Sequence, residues 1–403
     1  MPHSAYTASA LAVLLLAATA GISAAQQTST STMTASTQAA AATPGAPGSL
    51  RVATWGGAYG EAQRIAVFEP FAKETGIKID AAHGAKGPTL TGSLDWDVAD
   101  LSSGDAAVAC QMGLIDPIDP ASLRNGPDGT PAAQDFLSGG LSKCGVASLA
   151  WSALFLVDTD RKDEKTGKSL PQPKTLQDVF DVVHFPGKRG LPRNPRYVLE
   201  LALMADGVLP DYVYYQLSQP EGLARAFRRL ATLRSNIVWW DDAQEGINLL
   251  KTRKVAMTLG FSGRAFSEAT TGTRPIAIVW DGQIYDVDVW AVAKGARSKA
   301  DAMKFVAYAS SSERLADTAR QFPYGPMRRS ALPLVGTHAV LGTDLKPYLP
   351  TSPENLTRAL RLDDTWWRAH EADLAQRLDQ WIDNPPSKSG VGEGSLKIIA
   401  PPG

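Results

Sequence analysis

Cysteine is scarce in this sequence: the chain of 403 residues contains two. That number is too small for a disulfide scaffold or a cysteine-rich zinc site. The two are not spaced as C-x-x-C, so a thioredoxin-like redox role is not expected. The sequence therefore has to fold around a hydrophobic core.

Neither sign of charge is in excess, since 40 Lys and Arg residues stand against 41 Asp and Glu, a formal net charge of −1. A general electrostatic grip on nucleic acid or on an anionic membrane needs a basic surplus, so neither partner is expected. Hydrophobic residues make up 44% of the chain, which is typical of a globular protein. At ~150 residues per domain, the length allows two or three domains.

Catalytic motifs are also missing. Gly260–Gly263 comes near the G-x-S-x-G nucleophile elbow but has the wrong spacing, and no P-loop occurs. Gly56–Gly60 is not the dinucleotide fingerprint, and the pair His370-Glu371 lacks the second histidine of a metalloprotease helix. We predict a protein that is not an enzyme and that uses no cofactor and no metal.

The N-terminal segment has no Asp, Glu, Lys or Arg from Met1 to Ser49. An apolar stretch begins at Leu11 and runs to about Ala25, with small residues before Gln26, so residues 1–25 are predicted to be a secretory signal peptide. The alternative is an uncleaved anchor, although the stretch is shorter than the ~20 residues that a membrane span needs. Residues 26–49 are rich in Thr, Ser, Ala, Gln and Pro and are predicted to be a disordered tether.

Export would bring Cys110 and Cys144 into an oxidising compartment, where a disulfide can persist. A bridge between them would stabilise the fold by ~3–4 kcal/mol on the chain-entropy model. The alternative is a pair of buried thiols that never meet.

Strand and helix patterns alternate from Leu50 onward. Strands are predicted at Leu50–Thr54, Ile77–Ile79 and Asp97–Leu101, with helices between and after them, which favours a parallel βαβαβ unit. A second series follows, with strands predicted at Ser148–Val157, Val255–Gly260, Pro275–Trp280 and Tyr285–Ala293. Tyr197–Ala205 is an apolar segment, and Thr365–Ile382 is predicted to be an amphipathic helix. Helix starts are predicted at the pairs Thr175/Asp178, Ser218/Glu221 and Ser298/Asp301.

Two α/β units in one chain suggest two lobes, with a ligand crevice at the carboxyl ends of the strands. The fold class predicted is α/β and bilobed, with two mixed sheets flanked by helices and hinge crossings near Ala150–Leu154 and Tyr285–Ala291. The predicted segments are 50–150 and 286–345 for lobe 1, 151–285 for lobe 2, 346–383 for a C-terminal helical segment and 384–403 for a flexible tail.

Several motifs of the chain, taken in order, resemble the spermidine/putrescine-type periplasmic solute-binding proteins of ABC importers. The resemblance covers about Arg51 to Val335. The motifs that carry it are Thr54–Gln63, Phe68–Ile77, Asp97–Asp105, Leu114–Asp119, Cys144–Val146 with Trp151, Phe185–Gly190 and Ile284–Trp290. The family implies a periplasmic-binding-protein fold whose lobes close on a small solute and then dock on a membrane permease.

In this family, aromatic rings and carboxylates hold a cationic amine. The resemblance implies ligand contacts for Trp55 and Tyr59 after the first strand and for Asp288 in the return crossing. Further candidates are Ser103, Asp105, Phe261 and Tyr324, with Trp240 reaching the cleft from a predicted core position. Each also has a structural alternative, such as packing or partnering another side chain.

The second lobe departs from the polyamine-binding pattern, because Arg193-Asn194-Pro195-Arg196-Tyr197 stands where acidic residues are expected. Two arginines would repel a diamine. A solute with separated charges fits better: Asp288 would take an ammonium, and Arg193 or Arg196 would take a carboxylate through a bidentate contact. A γ-aminobutyrate-like ω-amino acid has this chemistry. The alternative is that both arginines face solvent.

The predicted function is the periplasmic solute-binding component of an ABC importer, a monomer that captures a polyamine-like or ω-amino-acid solute. The partners expected are the solute and the permease, with no nucleic acid and no membrane insertion after the signal is removed. Two alternatives remain: a sensory binding protein that docks on a chemoreceptor, and an exported enzyme on the same scaffold.

Overall fold

A computed structural model describes residues 48–83, 88, 90, 94–163 and 165–385 of the chain. All of them belong to a single unit, Pro44–Gly403. The predicted signal peptide, most of the predicted tether and most of the predicted tail lie outside the described residues. In the described part, no helix combines the length and the apolar character needed to cross a membrane.

Nine strands of the described residues form one mixed sheet in the order β2-β1-β3-β8-β4-β7-β5-β6, with β9 paired to β8. The strands are β1 (Ser49–Thr54), β2 (Lys78–His83), β3 (Val98–Ser102), β4 (Val146–Asp158), β5 (Arg189–Pro192), β6 (Ile237–Trp240), β7 (Met257–Phe261), β8 (Ile276–Val292) and β9 (Leu360–Arg361).

The parallel pairing expected of the predicted βαβαβ unit is confirmed, because β1 pairs in parallel with both β2 and β3, although the described residues between β2 and β3 form no helix. A second parallel group, β7-β5-β6, lies at the other side of the sheet. The sequence predicted two mixed sheets, whereas the structure joins them through β4, with 13 residues, and β8, with 17 residues. The α/β fold class is confirmed, and the two long antiparallel strands connect its halves.

Strand β8 unites the two strands predicted at Pro275–Trp280 and Tyr285–Ala293. The partner of β4 jumps from Ile284 to Val279, so the residues between them bulge out of the ladder. Gly282 in this bulge has a φ of 75°, a left-handed conformation that glycine adopts without steric cost. The strand therefore continues through a break that the sequence pattern presented as a loop.

Fourteen α-helices of the described residues surround the sheet: α1 (Gly57–Gln63), α2 (Glu69–Thr75), α3 (Ser103–Gln111), α4 (Ala132–Asp135), α5 (Leu176–Phe180), α6 (Pro195–Ala205), α7 (Val213–Leu217), α8 (Pro220–Ala231), α9 (Ala243–Lys251), α10 (Ser262–Thr271), α11 (Lys299–Ala309), α12 (Ser312–Gln321), α13 (Pro353–Leu356) and α14 (Asp364–Asp383). A π-helical segment, Arg64–Phe68, joins α1 to α2, and short 3₁₀ turns occupy Pro120–Ser122, Pro210–Tyr212, Arg234–Asn236, Arg329–Leu334 and Lys346–Tyr348.

Helix starts were predicted with mixed success. Thr175 and Asp178 form the predicted reciprocal capping box of α5, and Ser298 accepts a hydrogen bond from the backbone N–H of Asp301 at α11. The prediction for Ser218 is wrong, because α8 begins at Pro220 and has no side-chain cap. Proline at the first helical position has its φ already set, so the helix starts there without one.

Two large hydrophobic clusters share the long strands β4 and β8. The first core contains Ala150 of β4 and Val287 of β8, together with the β1–β3 unit and α11. The second core contains Ala153 and Ile284 of the same two strands, together with α6, α8, α9 and α14. We use "first half" and "second half" for the parts of the chain built on these cores. The change from one core to the other thus occurs within a few residues on both strands.

A disulfide joins Cys110 and Cys144, whose Cα atoms are 5.9 Å apart. It links the C-terminal end of α3 to the segment just before β4, both in the first half. Of the two alternatives that the sequence left open for these cysteines, the bridged one is confirmed.

Candidate functional site

Asp286 and Asp288 project from the same face of β8, since side chains two residues apart in a strand point the same way. Both are buried, at 2% and 7% exposure, and they lie at the crossing between the two halves. Trp151 of β4 stands opposite Asp286 in register, and its indole Nε1 donates a hydrogen bond to Oδ1 of Asp288, 3.3 Å away. The two carboxylates and this indole form the centre of the candidate site.

A third buried carboxylate, Asp100 of β3, is saturated with hydrogen bonds. The Tyr59 hydroxyl and the Gln63 Nε2 donate to Oδ2 at 2.6 and 2.7 Å, and the Ser148 hydroxyl donates to Oδ1 at 2.6 Å. Ser148 can reach it because the register of β4 against β8 shifts at this residue. Three donors compensate the charge of Asp100, so we interpret it as a positioning group rather than a free acceptor.

Asp286 and Asp288 are less well compensated. Asp286 accepts hydrogen bonds from the Ser103 hydroxyl at 3.0 Å and from the backbone N–H of Val287 at 2.7 Å. Among the described residues, no Lys, Arg or His forms an ion pair with Asp100, Asp286 or Asp288. Burying carboxylates without a cationic partner is costly, and this cost points to a site that a cation would complete.

The pKa values of these carboxyls reflect that cost. Burial, and then the repulsion of Asp100 and Asp286, raises the pKa of Asp288 well above its usual range. Burial, and then the charge of Asp364, raises the pKa of Asp286 to about 6. Burial also raises the pKa of Asp100 to about 6 despite its hydrogen bonds. A bound cation would reverse these shifts by favouring the ionised forms.

Aromatic rings from several elements surround the carboxylates. Phe261 at the end of β7 lies 5.7 Å from the ring of Trp151 and 5.8 Å from that of Tyr197. Tyr324 lies 5.9 Å from Tyr59, and burial followed by the nearby Asp288 charge raises its pKa. Rings of this kind can present their faces to an ammonium and exclude water from it.

Tyr197 stands in a strained conformation at the start of α6. Its φ of 73° is rare for a residue with a side chain, and it separates the capping residue Asn194 from the regular helix that follows. Strain of this kind persists only where the surroundings impose it, and it often accompanies functional sites. The kink places the Tyr197 ring against Phe261. Arg196, the preceding residue, lies at the same kink.

The two arginines predicted to face a ligand differ in placement. Arg193 is exposed and pairs with Asp379 and Asp383 of α14, at 2.8 and 3.4 Å, so the structure does not bring it to the carboxylate cluster. Arg196 is half-buried, and its Nη1 donates to Oδ1 of Asp364 at 2.5 Å. The arginine next to Tyr197 is therefore the one that lies near the cluster.

The remaining predicted site residues fall into two groups. The structure gathers Tyr59, Ser103, Tyr197, Phe261, Asp288 and Tyr324 around the carboxylates. For the other three, the structure shows different surroundings: Trp55 is 37% exposed on the turn after β1, Asp105 pairs with Arg368 of α14, and Trp240 is buried in the second core.

Asp100, Trp151 and Asp286 were not among the predicted ligand contacts, although all three belong to motifs that carry the family resemblance. Asp286 carries a usable signal, because it lies two residues before Asp288 in a strand and so must share its face. Trp151 and Asp100 join only through the pairing of β4 and β3 with β8, which a single sequence does not specify. Within the described residues, no three His, Cys, Asp or Glu side chains are arranged to hold a metal ion.

Comparison with known proteins gives consistent relatives. Residues 66–340 match the family of bacterial extracellular solute-binding proteins. The chain is 36% identical over 339 residues to the gamma-aminobutyric acid-binding protein of Pseudomonas aeruginosa, covering 83% of this chain and 90% of that protein.

Solved structures give the same picture. The Atu4243–GABA receptor superposes with a TM-score of 0.64 and 26% identity, covering 86% of this chain and all of its own. An ABC transporter substrate-binding protein from Bradyrhizobium japonicum superposes with a TM-score of 0.65 and 27% identity, covering 82% and 98% of the two chains. A spermidine/putrescine substrate-binding protein from Streptococcus pneumoniae shares the fold at 17% identity and a TM-score of 0.62.

Proposed function

The chain belongs to the family of bacterial extracellular solute-binding proteins, and we propose that its solute is a small ω-amino acid of the γ-aminobutyrate type. The protein holds this solute between the two halves and delivers it, chemically unchanged, to an ABC permease. The observation that carries the proposal is the pair of buried carboxylates, Asp286 and Asp288, that have no cationic partner among the described residues.

The ammonium end of the solute would lie against Asp286 and Asp288. A primary ammonium has three donors, enough to bridge both carboxylates with charge-assisted hydrogen bonds. The rings of Trp151, Phe261 and Tyr324 would cover the cation and its methylene groups. The names of two relatives, a gamma-aminobutyric acid-binding protein and a GABA receptor, support this class of solute.

The carboxylate end would go to Arg196. Its guanidinium is now held by Asp364 at 2.5 Å and by Glu371 at 3.6 Å, and its buried Nε has no hydrogen-bond partner. A ligand carboxylate could take up this free donor, and the planar guanidinium suits such a bidentate contact. Arg193, which the sequence offered equally, already has two exposed partners on α14 and is not part of the proposal.

Titration calorimetry of the purified protein with γ-aminobutyrate, putrescine and spermidine tests the proposal. We expect γ-aminobutyrate to bind most tightly and Asp288→Asn to weaken it by at least about 30-fold, the usual cost of removing one partner of a buried charge pair. Asp80→Asn is the control, because it also removes one negative charge, but from an exposed ion pair with Arg51 on β1. Tighter binding of putrescine would overturn the split-charge solute, and failure of all three amines would overturn the proposed function.

Export is part of the same proposal. Residues 1–25 would direct the chain to the periplasm and be removed, leaving 26–49 as a tether before lobe 1 (50–150 and 286–345) and lobe 2 (151–285). The Cys110–Cys144 disulfide supports an oxidising compartment. The mass of the protein recovered from the periplasm tests this: loss of about 25 residues is expected from signal cleavage, and an intact N-terminus would contradict it.

A further inference from the structure

Gly104, the second residue of α3, lies unusually close to the C-terminal helix α14. A Cβ atom placed on Gly104 would be 2.5 Å from both Cβ and Oδ2 of Asp364. Real Cβ atoms do not approach other atoms so closely, so only glycine permits this contact. The backbone of α3 therefore serves as a seat for the Asp364 side chain.

The contact joins the two halves of the molecule. Helix α3 contributes Ala106 and Ala109 to the first core. Helix α14 contributes Trp367, Leu374 and Leu378 to the second. Asp364 on Gly104 thus lies where a part of the second half meets the first.

A second contact lies one helical turn further along α14. Nη2 of Arg368 donates to Oδ1 of Asp105, 2.7 Å away, and residues four apart share a helix face. Both side chains are partly exposed, at 43% and 38%, so this ion pair is screened and adds little. The close packing at Gly104 is the stronger restraint, because backbone cannot move aside as a long side chain can.

Asp364 also connects this seat to the candidate site. Its Oδ1 accepts the hydrogen bond from Arg196, which lies beside the strained Tyr197, and its charge contributes to the raised pKa of Asp286. One carboxylate therefore touches the group proposed to hold the ligand and the backbone of the opposite half. Any contact that restrains the Arg196 side chain therefore also restrains the position of the Asp364 side chain against the backbone of α3.

We infer that Gly104 and Asp364 determine how closely the two halves approach, and through this the affinity for the solute; the inference rests on the proposed function for its ligand. Closure requires Asp364 to reach the backbone of α3. Any side chain at residue 104 holds the halves apart without replacing a residue that is proposed to contact the ligand.

The test is the Gly104→Ala variant, compared with Gly295→Ala as a control. Gly295 has no atom within 4 Å of an added Cβ and no left-handed φ, so alanine is tolerated there. Titration with γ-aminobutyrate should show roughly 5- to 100-fold weaker binding for Gly104→Ala, the cost of overpacking a tight contact, and no change for Gly295→Ala. Arg368→Gln should weaken binding by less than about fivefold.

Small-angle scattering supplies a readout that does not depend on the ligand's identity. Scattering is recorded with and without γ-aminobutyrate. In whichever condition the control Gly295→Ala has its smaller radius of gyration, the radius of gyration of Gly104→Ala should be larger than that of the control. Unchanged affinity together with superposable scattering curves would overturn the inference. If the wild type does not bind γ-aminobutyrate, the proposed function is wrong, but the scattering comparison between the two variants remains valid. Alanine favours a helix over glycine, so a folding defect is not expected, and a melting curve checks this.

Discussion

The indole Nε1 of Trp367 donates a hydrogen bond to Oε1 of Glu200, 2.6 Å away, and both side chains are fully buried. The Tyr214 hydroxyl donates to the same oxygen at 3.3 Å, whereas Oε2 has no hydrogen-bond partner. Burial raises the pKa of Glu200 to about 7. A charged carboxylate here works against the packing of α14 on α6.

Glu200→Gln should make the stability of the protein less dependent on pH between mild acid and neutrality. The folded-state pKa of about 7 lies above the ~4.3 of an unfolded chain, so the stability that Glu200 contributes is present at low pH and is lost as pH rises between these values. We therefore expect the variant to lose less stability than the wild type between pH 5 and pH 8.

Thermal melts at both pH values measure this difference. Glu354→Gln is the control, because Glu354 is exposed and pairs with Lys346. Parallel pH profiles for wild type and Glu200→Gln would show that the buried carboxyl does not titrate in this range.

Amine binding should weaken in mild acid. The pKa of Asp286 is raised to about 6, mainly by burial, so this carboxylate loses its charge as pH falls through this region; burial raises the pKa of Asp288 as well. An ammonium keeps its charge throughout, so affinity should fall by up to about tenfold for each pH unit below 6. Calorimetry with γ-aminobutyrate at pH 5, 6, 7 and 8 measures this change in affinity. A constant affinity would show that these carboxylates do not bind the ammonium group.

Trp151→Phe should weaken γ-aminobutyrate binding by roughly tenfold. The substitution keeps a ring against Phe261 but removes the Nε1 donor to Asp288. Loss of a hydrogen bond to a charged group typically weakens binding by about this factor. Trp240→Phe is the matched control, because it removes an indole N–H that has no partner, within the second core. Equal affinities for both variants in calorimetry would remove Trp151 from the site.

Reduction of the disulfide should destabilise the folded protein. Cys110 and Cys144 are separated by 34 residues, and closing a loop of that length is worth ~3–4 kcal/mol on the chain-entropy model. Denaturant unfolding with and without a thiol reductant measures the loss. The Cys110→Ala/Cys144→Ala double variant should resemble the reduced wild type and should not respond to reductant. An unshifted midpoint for the wild type would contradict the bridge.

Elements with strong local signals were predictable from the sequence. Strand β4 is a continuous apolar run, α14 has an apolar stripe, and the Thr175–Asp178 box specifies the start of α5. Strands β5 and β6 were missed because each has four residues and is held by its neighbours rather than by its own pattern. Local sequence determines the long elements, and pairing determines the short ones.

The site was predictable where one strand carries it and unpredictable where strands meet. Asp288 was found, and Asp286 follows from the two-residue period of the same strand. Arg193 and Arg196, three residues apart, looked equivalent in the sequence. The cap at Asn194 and the kink at Tyr197 turn them in different directions, Arg193 toward exposed acids of α14 and Arg196 toward its buried Asp364. Such a difference depends on α14, which lies about 190 residues further along the chain.

Strands β4 and β8 each contribute side chains to both hydrophobic cores. Neither half can therefore retain its hydrophobic core without the other, because removing one half disrupts β4 and β8, which belong to both cores. Heating should melt the protein as a single cooperative event in calorimetry, and expression of either half by itself should yield an insoluble chain. Any movement of one half against the other must act through these two strands, which the protein cannot unfold without losing both cores.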